Sequence, residues 1–259
     1  MPTTFFGWVG FLVERYGPLF LQGTANTLII ALSGTFTGFA LGLLVAIART
    51  IELPQSASPL KVWLVKCLKT VLSAYIEVFR GTPMIVQAAV IYYGLQSAGV
   101  ALPQMTAGIV VVSINTGAYM AEIIRGGIIS IDKGQTEAAR SIGMTHWQTM
   151  TGVVLPQAIR NIMPSIGNEF VVNIKDSSVL NVISVSELFF MGKSAAGVYY
   201  RYFEAYFIIA VIYLVLTFTV TRLLRLLEKK MDGPDNYVIY GSQSDSRAEI
   251  HVAAQKEGI

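Results

Sequence analysis

From position 16 to position 48 the chain carries no charged residue. A helix needs about 20 apolar residues to cross the hydrocarbon core of a bilayer, so this stretch alone exceeds one crossing. Within it, "TLIIALSGTFTGFALGLLVAIA" (27–48) fits a span, and Gly34, Gly38 and Gly42 recur every four positions. That spacing puts three residues without side chains on one helix face, where a neighbouring helix can come close. The pattern predicts helix packing rather than a pore lining.

Composition agrees with a membrane setting. Of 259 residues, 53% are hydrophobic and 14% charged, against roughly 25% charged in a soluble domain. So few charges cannot cover a globular surface of this size. The net charge of +3, without a Lys/Arg cluster, argues against a nucleic-acid binder. A single cysteine, Cys67, excludes an internal disulfide and a multi-cysteine metal site. His146 and His251 lie far apart in sequence, so no metal centre is expected. The first basic residue is Arg15, which leaves no basic leader for a cleaved signal peptide.

Four more stretches read as spans. "LSAYIEVFRGTPMIVQAAVIYYGL" (72–95) is long enough but holds Glu77, Arg80 and Pro83. Thr82 before Pro83 reads as an N-cap with proline at the first helical position, which predicts a break at Gly81-Thr82-Pro83. The piece after the break, about 20 Å long, is too short to cross alone. Glu77 and Arg80, three residues apart, are placed to pair on one helix face. "MTAGIVVVSINTGAYMAEII" (105–124) follows, with Glu122 and Arg125 in a structural role near the interface. The stretch 159–185 carries Pro164, Glu169, Lys175 and Asp176, which suit a helix lining a cavity and not one facing lipid. "AYFIIAVIYLVLTFTVTRLL" (205–224) is the last.

The expectation is an all-α membrane protein of about five transmembrane helices. Basic residues mark the cytoplasmic side. Arg49, Lys61, Lys66 and Lys69 follow the first span, Arg125, Lys133, Arg140 and Arg160 surround the central loop, and Arg222, Arg225, Lys229 and Lys230 follow the last. This pattern places the N-terminus outside and the C-terminus in the cytoplasm. Three regions result: an amphipathic N-terminal segment (1–20), a membrane domain (21–230) and a polar, acidic, disordered tail (231–259).

One polar segment interrupts the membrane domain on the cytoplasmic side. "GQTEAARSIG" (134–143) reads as a short helix stopped by Gly143 in the left-handed geometry that ends helices. "THWQ" (145–148) then matches a capping box, with Thr145 as N-cap and Gln148 three residues on. Helix, sharp turn, helix is the expectation, with Pro156 leading into the next span. Ala138 and Ala139 give the first helix a low surface, edged by Glu137 and Arg140. A solvated connector and a docking element both fit these residues.

The segment resembles the EAA loop of ABC-importer permeases: Glu-Ala-Ala, three residues, Gly, nine residues, Ile, one residue, Leu-Pro. The chain has Glu137-Ala138-Ala139, Gly143, Val153 and Leu155-Pro156, departing only in Val for Ile. "GTANTLIIALSG", "EVFRGTPMIVQ", "NTGAYMAEIIRGGI", "KGQTEAARSIGM" and "NEFVVNIKDSSVL" further resemble permeases of the polar amino-acid uptake family, covering most of 23–227. The resemblance implies a type I importer permease in a bacterial inner membrane. It would pair with a second permease subunit of the same or a homologous chain. Two cytoplasmic ATPase subunits would carry ATP and magnesium, and an extracytoplasmic amino-acid-binding protein would deliver the ligand. The loop at 134–156 would be the coupling helix, with Glu137, Ala138, Ala139, Gly143 and Pro156 as contact and geometry residues. This chain would itself hold no cofactor and catalyse no reaction.

For the passage, intramembrane ionisable and polar residues are the candidates. They are Glu169 with Asn168 beside it, Asn115, and the group Lys175, Asp176 and Ser177, of which Lys175 and Asp176 equally suit an outer gate or loop contacts. Helix breaks near Thr82 and Ser177 would expose backbone N–H groups to a carboxylate. "MGKSAAG" contains the Gly192-Lys193-Ser194 tail of a phosphate-binding loop, but the required earlier glycine is replaced by Glu187, so it reads as chance. The alternatives are another small solute class, an ATP-independent secondary transporter and a membrane-anchored interaction protein.

Overall fold

The computed structural model describes residues 1–51, 53 and 58–232, and every regular element among them is helical. In chain order these are α1 (Phe5–Arg49), α2 (Pro59–Gly81), α3 (Met84–Ser97), α4 (Gln104–Ile129), α5 (Lys133–Ser141) and α6 (His146–Thr149). A π-helical turn (Met150–Val154) leads into α7 (Leu155–Asp176), and a 3-10 turn (Ser177–Ile183) leads out of it. Helices α8 (Leu188–Tyr199) and α9 (Tyr202–Asp232) complete the chain's described part.

The spine of the molecule is α1, whose 45 residues reach about 68 Å at a rise of ~1.5 Å per residue. It runs unbroken through the boundary expected at residue 20, with Pro18 inside the helix. Trp8, Leu12 and Phe20 are buried while Phe6 and Leu21 are exposed. The N-terminal segment is therefore the first part of the same rod rather than a separate amphipathic element.

The glycine row does what its spacing predicts. Gly34, Gly38 and Gly42 are buried on α1 and face Val112, Thr116 and Met120 of α4, which recur with the same period of four. A Cβ on Gly38 would stand 2.8 Å from the Thr116 Cβ, and one on Gly42 would stand 2.8 Å from the Ala121 amide nitrogen. The two backbones are too close for a side chain between them. Gly117 returns the arrangement from α4, receiving Leu41 of α1 and the Tyr75 hydroxyl of α2.

Other elements pack on this pair in several places. Leu12 and Phe20 cluster with Leu188, Ala195 and Ile208 of α8 and α9. Ile30 clusters with Val111, Val112 and the 3-10 turn residues Leu180 and Ile183. At the other end Ala46, Met120 and Ile124 meet Ile162 of α7.

Three helices among the described residues are long and apolar enough to cross a bilayer, Phe5–Arg49, Gln104–Ile129 and Tyr202–Glu228. A fourth arises if His146–Ile183 and Leu188–Tyr199, bent by 53°, form one span. The second expected span does not qualify by this measure. Its break divides it into α2, which carries Lys61, Lys66, Lys69, Glu77 and Arg80, and α3, which has only 14 residues. The break itself lies where expected, but Thr82 ends α2 as its C-cap and Pro83 occupies the N-cap of α3. The fourth expected span is likewise divided. It ends as α7, a 3-10 turn and a left-handed Ser184 (φ 59°), followed by α8, a helix the hydropathy pattern did not separate. Residues 233–259, most of the predicted disordered tail, lie outside the described part.

Replacing Gly42 by alanine forces α1 and α4 apart and is expected to cost about 1–3 kcal/mol of stability, as overpacking does. Gly10 has no atom within 4 Å of a built Cβ, so Gly10→Ala should be neutral or slightly stabilising. Thermal unfolding of both variants in one detergent checks the contrast.

Candidate functional site

The polar segment is built by local capping. Asp132 caps α5, its carboxylate accepting from the Gly134 N–H at 2.6 Å. The helix ends with Gly143 at φ +86°. The Gly143 N–H donates to the Arg140 carbonyl and the Met144 N–H to the Ala139 carbonyl, at 3.0 and 3.2 Å. This pair of bonds is the Schellman termination, which a left-handed residue at that position permits. Two residues on, both halves of the capping box form: the Gln148 N–H donates to Thr145 Oγ1 at 3.3 Å, and the Thr145 N–H to Gln148 Oε1 at 2.8 Å.

Glu137 and Ala138 are exposed and Ala139 is buried at 5%. Ile142 and Trp147 stand 78% and 61% exposed on the same helix–turn–helix unit. A short polar segment thus displays two large apolar side chains. Pro156 stands in the first turn of α7, leading into it as expected from sequence, and the helical run is nonetheless continuous from His146 to Ile183. The π turn just before it supplies the reason. Proline cannot donate to the preceding turn and its ring opposes the carbonyl four residues back. A wider π turn relieves both, with the Leu155 N–H reaching the Met150 carbonyl instead.

The α7 residues singled out for the passage divide into two groups. Asn168, Lys175 and Asp176 are exposed and Glu169 is half-buried. Asp176 and Arg80 are the charged groups whose fields reach Glu169, so the structure gathers charges from α2 and α7. Ser177, by contrast, is fully buried and its hydroxyl donates to the Ile174 carbonyl at 2.9 Å. It lies in the interior of the chain and not on the exposed face. Glu77 and Arg80 form no ion pair; the Arg80 guanidinium lies over the Tyr119 ring, 5.4 Å from its centre.

Asn115 faces the α2–α3 break. Its amide donates to the Phe79 carbonyl at 3.2 Å and to Gln87 Oε1 at 2.9 Å. Gln87, buried at 6%, in turn donates to the Phe79 and Thr82 carbonyls and to Thr82 Oγ1. These bonds satisfy carbonyls that the helix break leaves without an N–H partner. Gln87 was not anticipated, although a lone amide in "MIVQAAVIYY" was the available signal.

Two more polar residues were missed. Asn173 is buried at 3%; its amide donates to Thr35 Oγ1 of α1 at 2.8 Å, and it accepts from the Thr116 hydroxyl of α4 at 3.1 Å. Glu187, fully buried, caps α8 by accepting from the Phe189 and Phe190 N–H groups and from the Tyr213 hydroxyl. The same corner is held by Asn26, which donates to the Ser186 carbonyl at 2.7 Å, and by Thr27, which accepts from the Leu188 N–H. Gly23 lies against the Leu188 backbone. The stretch "GTANT" (23–27) is therefore a docking site for the α7–α8 corner. Gly192-Lys193-Ser194 lies inside α8, and the Lys193 ammonium donates to Asn181 Oδ1. Near the far end of α4, Glu122 bridges Arg49 of α1 and Arg125, the latter at 2.8 Å, which agrees with the structural role expected for the Glu122–Arg125 pair.

The chain belongs to the family of binding-protein-dependent transport system inner membrane components, whose pattern matches residues 56–233. It is 38% identical to the glutamine transport system permease protein of Escherichia coli K12, over 83% of this chain and 93% of that one. It is 34% identical to the arginine transport system permease protein of Bacillus subtilis, over 84% of this chain and 94% of that one. Among solved structures, an amino acid ABC transporter with histidines is 43% identical, with a TM-score of 0.76, covering 89% of this chain and 100% of that chain. The MetNI methionine ABC transporter, at 20% identity and a TM-score of 0.68, shares the fold, covering 82% of this chain and 96% of that chain.

The left-handed turn makes a local prediction. Gly143→Ala places a Cβ at φ +86° and should cost about 1–2 kcal/mol. Hydrogen exchange at the Gly143 and Met144 amides should accelerate accordingly, while exchange in α4 stays as it was.

Proposed function

We propose that this chain is the membrane-spanning subunit of an ABC importer for polar amino acids in a bacterial inner membrane. The observation that carries the reading is the helix–turn–helix unit at α5 and α6. It is capped at each point where the chain changes direction, and it leads through the π turn directly into α7. Such a unit can transmit a push along a helix without melting at the joint.

In this reading the chain crosses the membrane five times. Helix α1 is the first crossing, α2 with α3 the second, α4 the third, α7 the fourth and α9 the fifth, with the N-terminus outside and the C-terminus in the cytoplasm. The membrane domain takes in the whole of α1 and ends with α9, and the acidic tail follows it. Two cytoplasmic ATPase subunits supply ATP and magnesium, a second permease subunit completes the passage, and an extracytoplasmic binding protein delivers the amino acid. Glu137 and Ala138, with the exposed Ile142 and Trp147, form the contact with an ATPase subunit. Ala139, Gly143 and Pro156 set the geometry behind it.

The relatives named for glutamine and arginine carry solutes that share an ammonium and a carboxylate on one carbon. Glu169 and Asp176 offer negative charge to the former. Arg80 and the uncapped start of α3, where the Met84 and Ile85 N–H groups begin the helix, offer positive charge to the latter. Asn168 and Lys175 border this face along α7, Ser177 lies behind it in the interior, and Asn115 supports it through the α2–α3 break.

The test is ligand-stimulated ATP hydrolysis and uptake by the complete complex in liposomes, across a panel of amino acids with the cognate binding protein. Glu137→Lys and Gly143→Asp should each leave the subunit in the membrane yet abolish uptake driven by ATP hydrolysis. Full uptake by both variants would overturn the coupling assignment. Uptake without any ATPase subunit would point to a secondary transporter instead. Glu169→Ala should raise the ligand concentration for half-maximal stimulation about tenfold or more, the scale of a lost charge-assisted hydrogen bond; an unchanged value would remove Glu169 from the passage.

A further inference from the structure

Helix α7 must satisfy two conflicting demands. One side of it packs against the α1–α4 pair, and the adjoining side carries Asn168, Glu169, Lys175 and Asp176. At 3.6 residues per turn, Glu169 and Asn173 differ by only about 40° around the helix axis. Yet Asn173 is buried at 3% while Glu169 is half-buried and Asn168 exposed. The edge of the packed surface therefore runs between these two positions. A small rotation of α7 would bury Glu169 against α4 or bring Asn173 out.

Apolar packing does not resist such a rotation strongly. Around this level α7 offers Val171, Val172 and Ile174, which are similar in size and apolar on adjacent sides. It also contains Pro164, which removes one backbone bond below, and it passes into a 3-10 turn directly above. Directional bonds do resist it. The Asn173 amide donates to Thr35 Oγ1 of α1 at 2.8 Å, and Asn173 Oδ1 accepts from the Thr116 hydroxyl of α4 at 3.1 Å. Both ends of one planar amide are thus held by two different helices. Those helices are fixed to each other by the glycine row, since Thr116 is the residue that packs on Gly38. Buried polar groups in an apolar interior are costly to leave without a partner, so only one rotational setting satisfies all three.

We propose that Asn173 is a positioning residue that sets the rotation of α7 through its two bonds to Thr35 and Thr116, so that Glu169 and Asp176 face the passage. The role of the face rests on the proposed function; the rotational setting does not.

Cysteine labelling of the complete transporter in liposomes separates the two. In a Cys67→Ser background, single cysteines are placed in turn at Asn168, Val171, Val172 and Lys175 and labelled with a polar maleimide. With Asn173 present, positions 168 and 175 should label several-fold faster than 171. In Asn173→Leu, which keeps the branched side-chain skeleton and removes both bonds, the contrast should collapse or move to neighbouring positions. The half-maximal ligand concentration should rise about tenfold, the scale of one or two lost hydrogen bonds. Thr116→Val removes one bond only and should shift both readouts in the same direction by less, which keeps the test decisive if Asn173→Leu fails to assemble. An unchanged labelling pattern in assembled Asn173→Leu, or in assembled Thr116→Val where the leucine variant does not assemble, overturns the proposal. A changed pattern with no effect of Glu169→Ala on ligand response would sustain the positioning role and reject the passage role of Glu169.

Discussion

The close approach of α1 and α4 is the contact on which the rest is assembled. Helices in a bilayer gain nothing from hiding apolar surface, because lipid tails are equally apolar, so association depends on close packing and on polar bonds between helices. Gly34, Gly38 and Gly42 remove the side chains that would hold the two backbones apart, and Val112, Thr116 and Met120 fill the resulting groove at the same period. Tyr75 extends the pair to α2, its hydroxyl donating to the Ile114 carbonyl at 2.6 Å beside Gly117. At one end, the bridge from Glu122 to Arg49 ties the same two helices.

Upon this pair, three elements are held by polar residues. The α2–α3 break is satisfied by Gln87 and Asn115. The α7 helix is tied by Asn173, and the α7–α8 corner is held by Glu187, Asn26 and Thr27. The adjacent residues Asn115 and Thr116 serve two different elements, one reaching to α3 and the other to α7. Water is absent from a bilayer interior, so any backbone group freed by a break must find a protein partner. Gln87 at the α2–α3 break and Glu187 at the start of α8 supply such partners.

What reads directly from the sequence and what does not follows from the range of the forces involved. Gly143, Thr145 and Gln148 act within a few residues, and their motifs appear in the structure as their spacing predicts. The glycine row depends on one helix period, so its packing role was also legible, though its partner was not. Pro156 was read as leading into the next span and does stand in the first turn of α7, but the continuity of the run with α6 was not legible. The π turn that lets the helix continue depends on geometry that residue types alone do not encode. The Glu77–Arg80 pair was favoured by spacing, but the Tyr119 ring on another helix holds the guanidinium instead.

The sequence by itself determined that this protein is a bundle of apolar helices, that a helix breaks at Gly81-Thr82-Pro83, and that a capped polar segment interrupts the bundle. Composition, periodicity and capping are local and need no partner to be read. Only the tertiary structure decided that α1 is one continuous rod, which residue faces each glycine, and that Asn173 and Glu187 are interior ties rather than exposed polar groups. A single buried amide or carboxylate in an apolar stretch looks the same whether it faces a passage, a lipid or a neighbouring helix. The difference lies in which donors and acceptors of distant segments come within hydrogen-bond reach, and folding alone brings those together.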